Sequence, residues 1–227
     1  MAYLCGVLMR TTARPLYFSP VVSDAEHTDL RLSRRVHAIP PSGIRRFFDI
    51  MASMEDVISL GVGEPDFITP WPIRDAAIRS LENGLTHYTS NAGILRLREL
   101  LAIHLDRLYG LQYDPEEEIL ITTGVSEGLD VTVRALIDPG DEVVLSEPSY
   151  VAYAPAISLS GGVPVFVPTY ASERFVIDPV KFRDAITPRT KAVLLSSPAN
   201  PTGAVLSRDV LEHLAETIIT NDLLVIS

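Results

Sequence analysis

Three short stretches of the chain carry polar or aromatic residues directly after a predicted strand. The first is 196–203, Ser-Ser-Pro-Ala-Asn-Pro-Thr-Gly, which follows the apolar run 192–195. That run is typical of a buried strand, and the prolines and the glycine then direct the chain out of it along a non-helical path. Asn200 stands between two prolines, and its amide both donates and accepts hydrogen bonds. On spacing alone, an ordinary proline–glycine loop is the more frequent explanation.

The second stretch is a turn of small residues, 124–128, between a predicted strand at 118–122 and a helix. The first N–H groups of a helix have no partner within it, and together with the helix dipole they attract an anion. Val125 and Ser126 are the expected donors. The pattern matches neither the dinucleotide-binding fingerprint nor the Walker loop. A helix cap at Ser126 explains these residues as well as an anion site does.

The third stretch, 147–153, follows the apolar run 142–145 in the same way. Tyr150 is expected just past the carboxyl end of that strand, where its ring can lie over a flat ligand. Packing under the next helix is the alternative, and it is the role we expect for Tyr153. Because ligands of open α/β sheets bind at the carboxyl ends of the strands, the three stretches together predict one pocket. An anion site, an aromatic ring and a fixed amide suit a flat, phosphorylated, hydroxylated ring.

The elements that position these stretches alternate between strand and helix. The predicted strands lie near 118–122, 142–146, 163–167, 192–195 and 222–226, and the predicted helices between them near 126–137, 150–160, 179–185 and 207–219. Strands that are apolar almost throughout are buried on both faces, which favours a mostly parallel sheet covered by helices. Upstream, we expect a helix at 71–81 opened by Pro72 and a second helix at 95–108.

The composition of the whole chain excludes several classes of protein. With 47% hydrophobic and 21% charged residues among 227, it has ample material for a core. The 19 basic and 29 acidic residues give a net charge of −10, which argues against a broad nucleic-acid-binding surface. One cysteine suits a reducing compartment, and no apolar run reaches membrane-spanning length, so we expect a cytoplasmic protein. No metal site is expected at His87 or His104.

From Leu32 to Ser227 the sequence resembles the class I/II aminotransferases, the fold-type I enzymes that use pyridoxal 5′-phosphate. Four motifs carry the resemblance in the family's order: Gly-Val-Gly-Glu-Pro-Asp-Phe at 61–67, Asn-Ala-Gly-Ile at 91–94, Pro-Gly-Asp-Glu-Val at 139–143 and Asn-Pro-Thr-Gly at 200–203. Residues 42–48 most resemble the branch of the aromatic-amino-acid and N-acetyl-diaminopimelate aminotransferases. The resemblance implies an α/β fold of three layers, α/β/α, with a mostly parallel sheet.

The resemblance also implies a role for each candidate cofactor-binding residue. Val125 and Ser126 would hold the phosphate of pyridoxal 5′-phosphate. Tyr150 would stack on the pyridine ring, and Asn200 would hydrogen-bond the phenolic oxygen. Gly63 would offer its N–H to the substrate carboxylate.

Two further implications concern the neighbouring subunit and the catalytic lysine. Tyr88 would reach across a dimer interface to the phosphate bound by the other subunit. The family's Schiff-base lysine follows an aspartate that comes directly after the last predicted strand. Neither Lys181, in a predicted helix, nor Lys191, at the start of a strand away from the cofactor edge, suits that role. We therefore expect no catalytic residue within these 227 residues, and no activity from them alone.

The expected organisation is an extension at 1–30, expected to be disordered, an amino-terminal arm and small-domain segment at 31–70, and a truncated cofactor-binding large domain at 71–227. The implied reaction is transamination between an L-amino acid and a 2-oxo acid, in amino-acid metabolism, by a homodimer when full length. A carbon–sulfur lyase or a synthase of the same fold is the first alternative, and a catalytically dead fragment is the second. No nucleic acid and no membrane is expected as a partner.

Overall fold

The computed structural model describes residues 32–40 and 67–227. Within these ranges the helices are α1 (Arg34–His37), α2 (Trp71–Glu82), α3 (Leu95–Tyr109), α4 (Gly124–Leu136), α5 (Tyr153–Ser160), α6 (Pro179–Asp184) and α7 (Arg208–Thr220). The strands are β1 (Glu142–Glu147), β2 (Val163–Pro168), β3 (Thr190–Leu194) and β4 (Leu224–Ile226), and a short 3-10 helix spans Ala171–Glu173.

The four strands form one sheet in the order β2-β1-β3-β4, and every neighbouring pair is parallel. In the centre of the sheet, Val144 of β1 lies opposite Val165 of β2 and Val193 of β3. Each pair of consecutive strands is joined through a helix, as parallel pairing requires. The predicted mostly parallel sheet is confirmed.

Side chains of β1 alternate between two apolar clusters on opposite faces of the sheet. Val143 and Leu145 pack with residues of α4 and α5, such as Val133 and Ile157. The cluster on the other face includes Val144 of β1, together with residues of α6 and α7 that include Phe182, Leu214 and Ile218. Because successive residues of a strand point to opposite faces, one continuous apolar run serves both clusters. The predicted three-layer α/β/α fold is therefore confirmed.

The predicted strand at 118–122 is wrong. A strand exists only through the backbone hydrogen bonds of a neighbouring strand, and none of the four strands in the described ranges pairs with this segment. Instead, the Ile121 N–H donates to the carbonyl of Ala92 at 3.0 Å. Two predicted helix starts also differ from the structure, since α4 begins at Gly124 and α5 at Tyr153.

The helix predicted at 71–81 is present as α2, with Pro72 in its first turn. Residues 1–30 lie outside the described residues, as do most of 31–70, so the proposed division into an extension, an arm and a large domain stays a prediction. None of the helices in residues 32–40 and 67–227 is both long enough and apolar enough to cross a membrane.

At the amino end of the sheet, a charged group is buried at the start of β1. Glu142 is 3% exposed, and its carboxylate accepts hydrogen bonds from Arg189 Nε at 2.9 Å and Arg189 Nη2 at 2.6 Å. The Thr187 hydroxyl also donates to it. The bonds from Thr187 and then Arg189 lower the pKa of Glu142, because they stabilise the ionised form against the cost of burial. These hydrogen bonds link the turn before β3 to the start of β1.

We predict that Glu142→Gln lowers the free energy of unfolding at pH 7 by about 1 kcal/mol, since Arg189 is exposed and solvent screens its ion pair. A lowered carboxyl pKa stabilises the fold above the unfolded-state value of about 4.3, and the contribution is lost as the pH falls through the folded-state pKa. Thermal unfolding followed by circular dichroism between about pH 3 and pH 7 measures the difference.

Glu212→Gln is the matched control, because Glu212 forms an exposed ion pair with Arg208 within α7. Its free energy of unfolding should stay within about 0.5 kcal/mol of the wild-type value at every pH. A difference between wild type and Glu142→Gln that persists undiminished at the lowest pH would contradict the role given to the ionised carboxylate.

Candidate functional site

A cleft of about 440 Å³ opens at the carboxyl end of the sheet. Val125 and Leu129 of α4 line one side, Tyr153 of α5 lines another, and the chain leaving β3 at 194–198 and Ile226 at the end of β4 complete it. The strands are parallel, so their carboxyl ends meet at this one edge, which is where open α/β sheets bind ligands.

The first turn of α4, where Val125 lines the cleft, presents unpaired backbone donors. The Gly124 N–H donates to the Thr122 carbonyl at 2.9 Å, and the Thr123 N–H is taken by the Glu127 carboxylate. The N–H groups of Val125 and Ser126 make no hydrogen bond to any residue in the described ranges, and both residues are exposed. Ser126 is the third residue of α4, so it is not the helix cap. The two expected anion donors are therefore free.

The segment that leads into α4 is held in place by the 91–94 motif. Gly93 has a φ of +94°, and a Cβ there would lie 2.5 Å from Cγ1 and 2.6 Å from Cβ of Ile121. The neighbouring Ala92 carbonyl accepts the hydrogen bond from the Ile121 N–H. Only glycine combines this backbone conformation with so close an approach. The motif thus positions the start of α4 through backbone contact with residue 121.

The loop after β3 is closed by its own hydrogen bonds and leaves the Asn200 amide free. The Ala199 N–H donates to the Ala204 carbonyl at 2.8 Å, and the Gly203 N–H donates to the Ala199 carbonyl at 2.7 Å. The Ser197–Pro198 and Asn200–Pro201 peptide bonds are both cis. Asn200 is exposed and lies two residues beyond 194–198, the part of this segment that lines the cleft. No residue in the described part of the chain forms a hydrogen bond with its side chain.

Two tyrosines stand together beside the cleft. The rings of Tyr150 and Tyr153 meet edge to face, with centroids 5.5 Å apart and planes at 78°. Tyr153 packs against the apolar cluster beneath α4 and α5, as expected, but it also lines the cleft. Tyr150, the predicted platform, is 36% exposed and is not among the lining residues. Sequence reasoning missed the second role of Tyr153, and the three-residue step between the two rings was the available signal.

Of the two remaining predicted binding residues, the structure describes only Tyr88, which does not line the cleft. Tyr88 is fully exposed in the loop between α2 and α3. Gly63 lies outside the described residues. Ser196 and Ser197 were part of the predicted stretch 196–203 but were given no role in it, and both line the cleft just after β3. Their position at a strand's carboxyl end was the signal.

Both lysines of the chain lie away from the cleft. Lys191, near the amino end of β3, pairs with Asp141 at 3.0 Å and with Asp138 at 3.4 Å. The hydrogen bond with Asp141 is the main cause that raises the pKa of Lys191. On α6, Lys181 lies 3.9 Å from the carboxylate of Glu173 and 4.9 Å from the centre of the Tyr170 ring. In the described ranges, no three His, Cys, Asp or Glu side chains converge as metal ligands.

Residues 55–227 match the model of the family "Aminotransferase class I and II". The chain belongs to this family. Its members are pyridoxal-phosphate-dependent. This family match confirms the resemblance carried by the four motifs.

Similar proteins include the aminotransferase YugH of Bacillus subtilis, 48% identical over 86% of this chain and 51% of that protein. The aspartate aminotransferase of Pyrococcus abyssi is 42% identical over 87% of this chain and 51% of its own length. An aromatic-amino-acid aminotransferase of Thermococcus litoralis is 40% identical. The chain spans about half the length of the curated relatives it matches.

Solved aminotransferase structures superpose on this chain. The aspartate aminotransferase of Thermus thermophilus with maleate superposes with a TM-score of 0.79 at 43% identity, covering 86% of this chain and 52% of that one. The N-succinyldiaminopimelate aminotransferase of Mycobacterium tuberculosis superposes with a TM-score of 0.81 at 34% identity, covering 86% of this chain and 50% of that one. The fold is that of the amino-terminal part of these enzymes.

We predict that Gly93→Ala destabilises the protein by about 2–4 kcal/mol, because it combines an unfavourable φ with overpacking against Ile121. Gly110→Ala is the matched control: its φ is also positive, at +66°, but nothing lies within 4 Å of the added methyl. The free energy of unfolding of that variant should fall by only about 1 kcal/mol. Chemical denaturation of both variants measures the two losses, and equal losses would show that the contact with Ile121 does not hold this segment.

Proposed function

We propose that the cleft binds pyridoxal 5′-phosphate. The N–H groups of Val125 and Ser126 would bind the phosphate, because both are unpaired donors at the start of α4 and Val125 lines the cleft. Tyr150 would cover the pyridine ring, and the free amide of Asn200 would bond the phenolic oxygen. The observation that carries the proposal is a pair of consecutive unpaired N–H groups in the first turn of α4, the first of them on a residue that lines the cleft at the sheet's carboxyl edge.

The residues of this chain would bind and orient the cofactor, while the cofactor itself supplies an electron sink for bonds at the α-carbon of an amino acid. We propose that the whole protein uses this to move an amino group between an L-amino acid and a 2-oxo acid. Gly63 would offer its N–H to the substrate carboxylate. The protein would act in amino-acid metabolism in the cytoplasm.

Neither lysine of these 227 residues lines the cleft, and Lys191 is held by two carboxylates at the opposite end of the sheet. We therefore propose that the Schiff-base lysine belongs to the half of the family length that these residues do not span. Residues 1–227 alone would bind the cofactor without turning over a substrate.

A second copy of the protein is the proposed partner. Tyr88 is fully exposed, as a residue that reaches into another subunit would be in one isolated chain. No residue of α2 is buried among the described residues, and α2 exposes Trp71, Ile73, Ile78 and Leu81. Exposed apolar side chains in such number mark a surface that another part of an assembly covers.

We predict that Val125→Pro weakens binding of pyridoxamine 5′-phosphate to the full 227-residue chain by about tenfold or more. Proline removes the N–H but is tolerated in the first turn of a helix. Pyridoxamine 5′-phosphate is the probe because it has no aldehyde and so forms no imine with surface lysines. Equilibrium dialysis gives the dissociation constants.

Arg208→Pro is the control, since it places proline in the first turn of α7, whose residues do not line the cleft. It should bind the probe within about twofold of the wild-type chain. Equal affinity of Val125→Pro and wild type would remove the α4 amides from the phosphate site.

The reaction of the whole protein is tested on the longer protein that carries the remaining part of the family length. We expect conversion of an L-amino acid only when a 2-oxo acid is supplied as acceptor. Release of ammonia and a 2-oxo acid from a single substrate would instead identify a lyase of the same fold. Neither product from a protein that binds the cofactor would support a catalytically dead scaffold.

A further inference from the structure

The contact between Tyr150 and Tyr153 joins an anchored ring to an exposed one. Tyr153 is the first residue of α5, where it packs against the apolar cluster under α4 and α5. Tyr150 precedes the helix and remains 36% exposed. The Tyr153 N–H donates to the Tyr150 carbonyl at 3.0 Å, so the backbone also ties the two residues together.

Of the two, the anchored ring is the one that forms part of the cleft wall. Tyr153 lines the cleft together with Val125 and Leu129, whereas Tyr150 lies beside it. The edge of one ring points at the face of the other, at 78° between planes and 5.5 Å between centroids. This arrangement is the attractive one for aromatic pairs, because the positive edge meets the negative face.

We propose that Tyr153 is a positioning residue: it fixes the orientation of the Tyr150 ring at the cleft. The inference rests on the proposed function, which places the cofactor ring under Tyr150. An exposed tyrosine turns freely about two side-chain torsions, and fixing them on binding lowers the affinity. A ring held beforehand by its neighbour avoids that loss.

The size of the effect follows from aromatic pairs in general. Such a contact changes an equilibrium constant by a factor of about 2 to 10 beyond the area it buries. Tyr153→Leu keeps an apolar side chain in the cluster but removes the ring edge. It should weaken pyridoxamine 5′-phosphate binding to the full chain by about three- to tenfold. Tyr153→Phe keeps the ring and should stay within about twofold of wild type.

Inorganic phosphate is the second probe, because it uses the α4 amides and not the aromatic pair. Tyr153→Leu should leave its affinity within about twofold of wild type. A loss of affinity that is equal for both probes would show that Tyr153 only supports the fold, which would overturn the inference. Tyr109→Leu, at the exposed end of α3, is the control for replacing a tyrosine away from the cleft.

The dependence on Tyr150 is tested by combining substitutions. The double variant Tyr150→Leu/Tyr153→Leu should bind pyridoxamine 5′-phosphate less than about twofold more weakly than Tyr150→Leu alone, because the ring that Tyr153 positions is already gone. The full loss in both backgrounds would overturn the inference. If Tyr153→Leu does not fold, Tyr153→Met takes its place, since methionine fills irregular apolar space.

The failure of the inference and the failure of the proposed function give different results. If the wild-type chain binds pyridoxamine 5′-phosphate and Tyr153→Leu binds it equally well, only the positioning role is refuted. A wild-type chain that binds neither pyridoxamine 5′-phosphate nor inorganic phosphate refutes the proposed cofactor site, and the ligand role of the tyrosine pair with it.

Discussion

The structure depends on the burial of both faces of β1 between two parallel neighbours. Val143 and Leu145 enter one apolar cluster and Val144 enters the other, so the strand is stable only with helices on each side. Parallel pairing then requires each connection to return across the sheet, which brings every strand's carboxyl end to the same edge. The cleft exists because of this arrangement. Its position follows from the sheet before any side chain in it is considered.

The two ends of the sheet differ in chemistry. At the amino end, ion pairs between Glu142 and Arg189 and between Asp141 and Lys191 hold short turns in place. At the carboxyl end, the described residues offer unpaired N–H groups, hydroxyls and aromatic rings instead. The motif at 139–143 therefore serves the fold: the Asp141 carboxylate accepts the Asp138 N–H and pairs with Lys191. The motif at 200–203 lies at the edge proposed for the ligand.

How far the sequence predicts this structure depends on whether a feature is local. The apolar runs of β1 and β3 identify both strands, because burial on two faces leaves a continuous pattern. The segment 118–122 has the same pattern, yet pairing with a distant strand decides its state, and no local signal carries that information. The free amides of Val125 and Ser126 follow from a turn that opens a helix, so they were predictable. For the second role of Tyr153, the only sequence signal was the three-residue step from Tyr150, and whether its ring lines the cleft depends on where α5 begins.

The ion pairs of Lys191 have a consequence for any aldehyde that enters the cleft. An amine attacks a carbonyl only through its unprotonated lone pair, and two carboxylates keep this ammonium charged. Lys181, the other lysine, is surrounded by Glu173, Asp178 and the ring of Tyr170. Neither of these two lysines lines the cleft. A carbonyl compound in the cleft would be retained by reversible contacts alone and would exchange with solvent, as a visiting ligand and not as a tethered group.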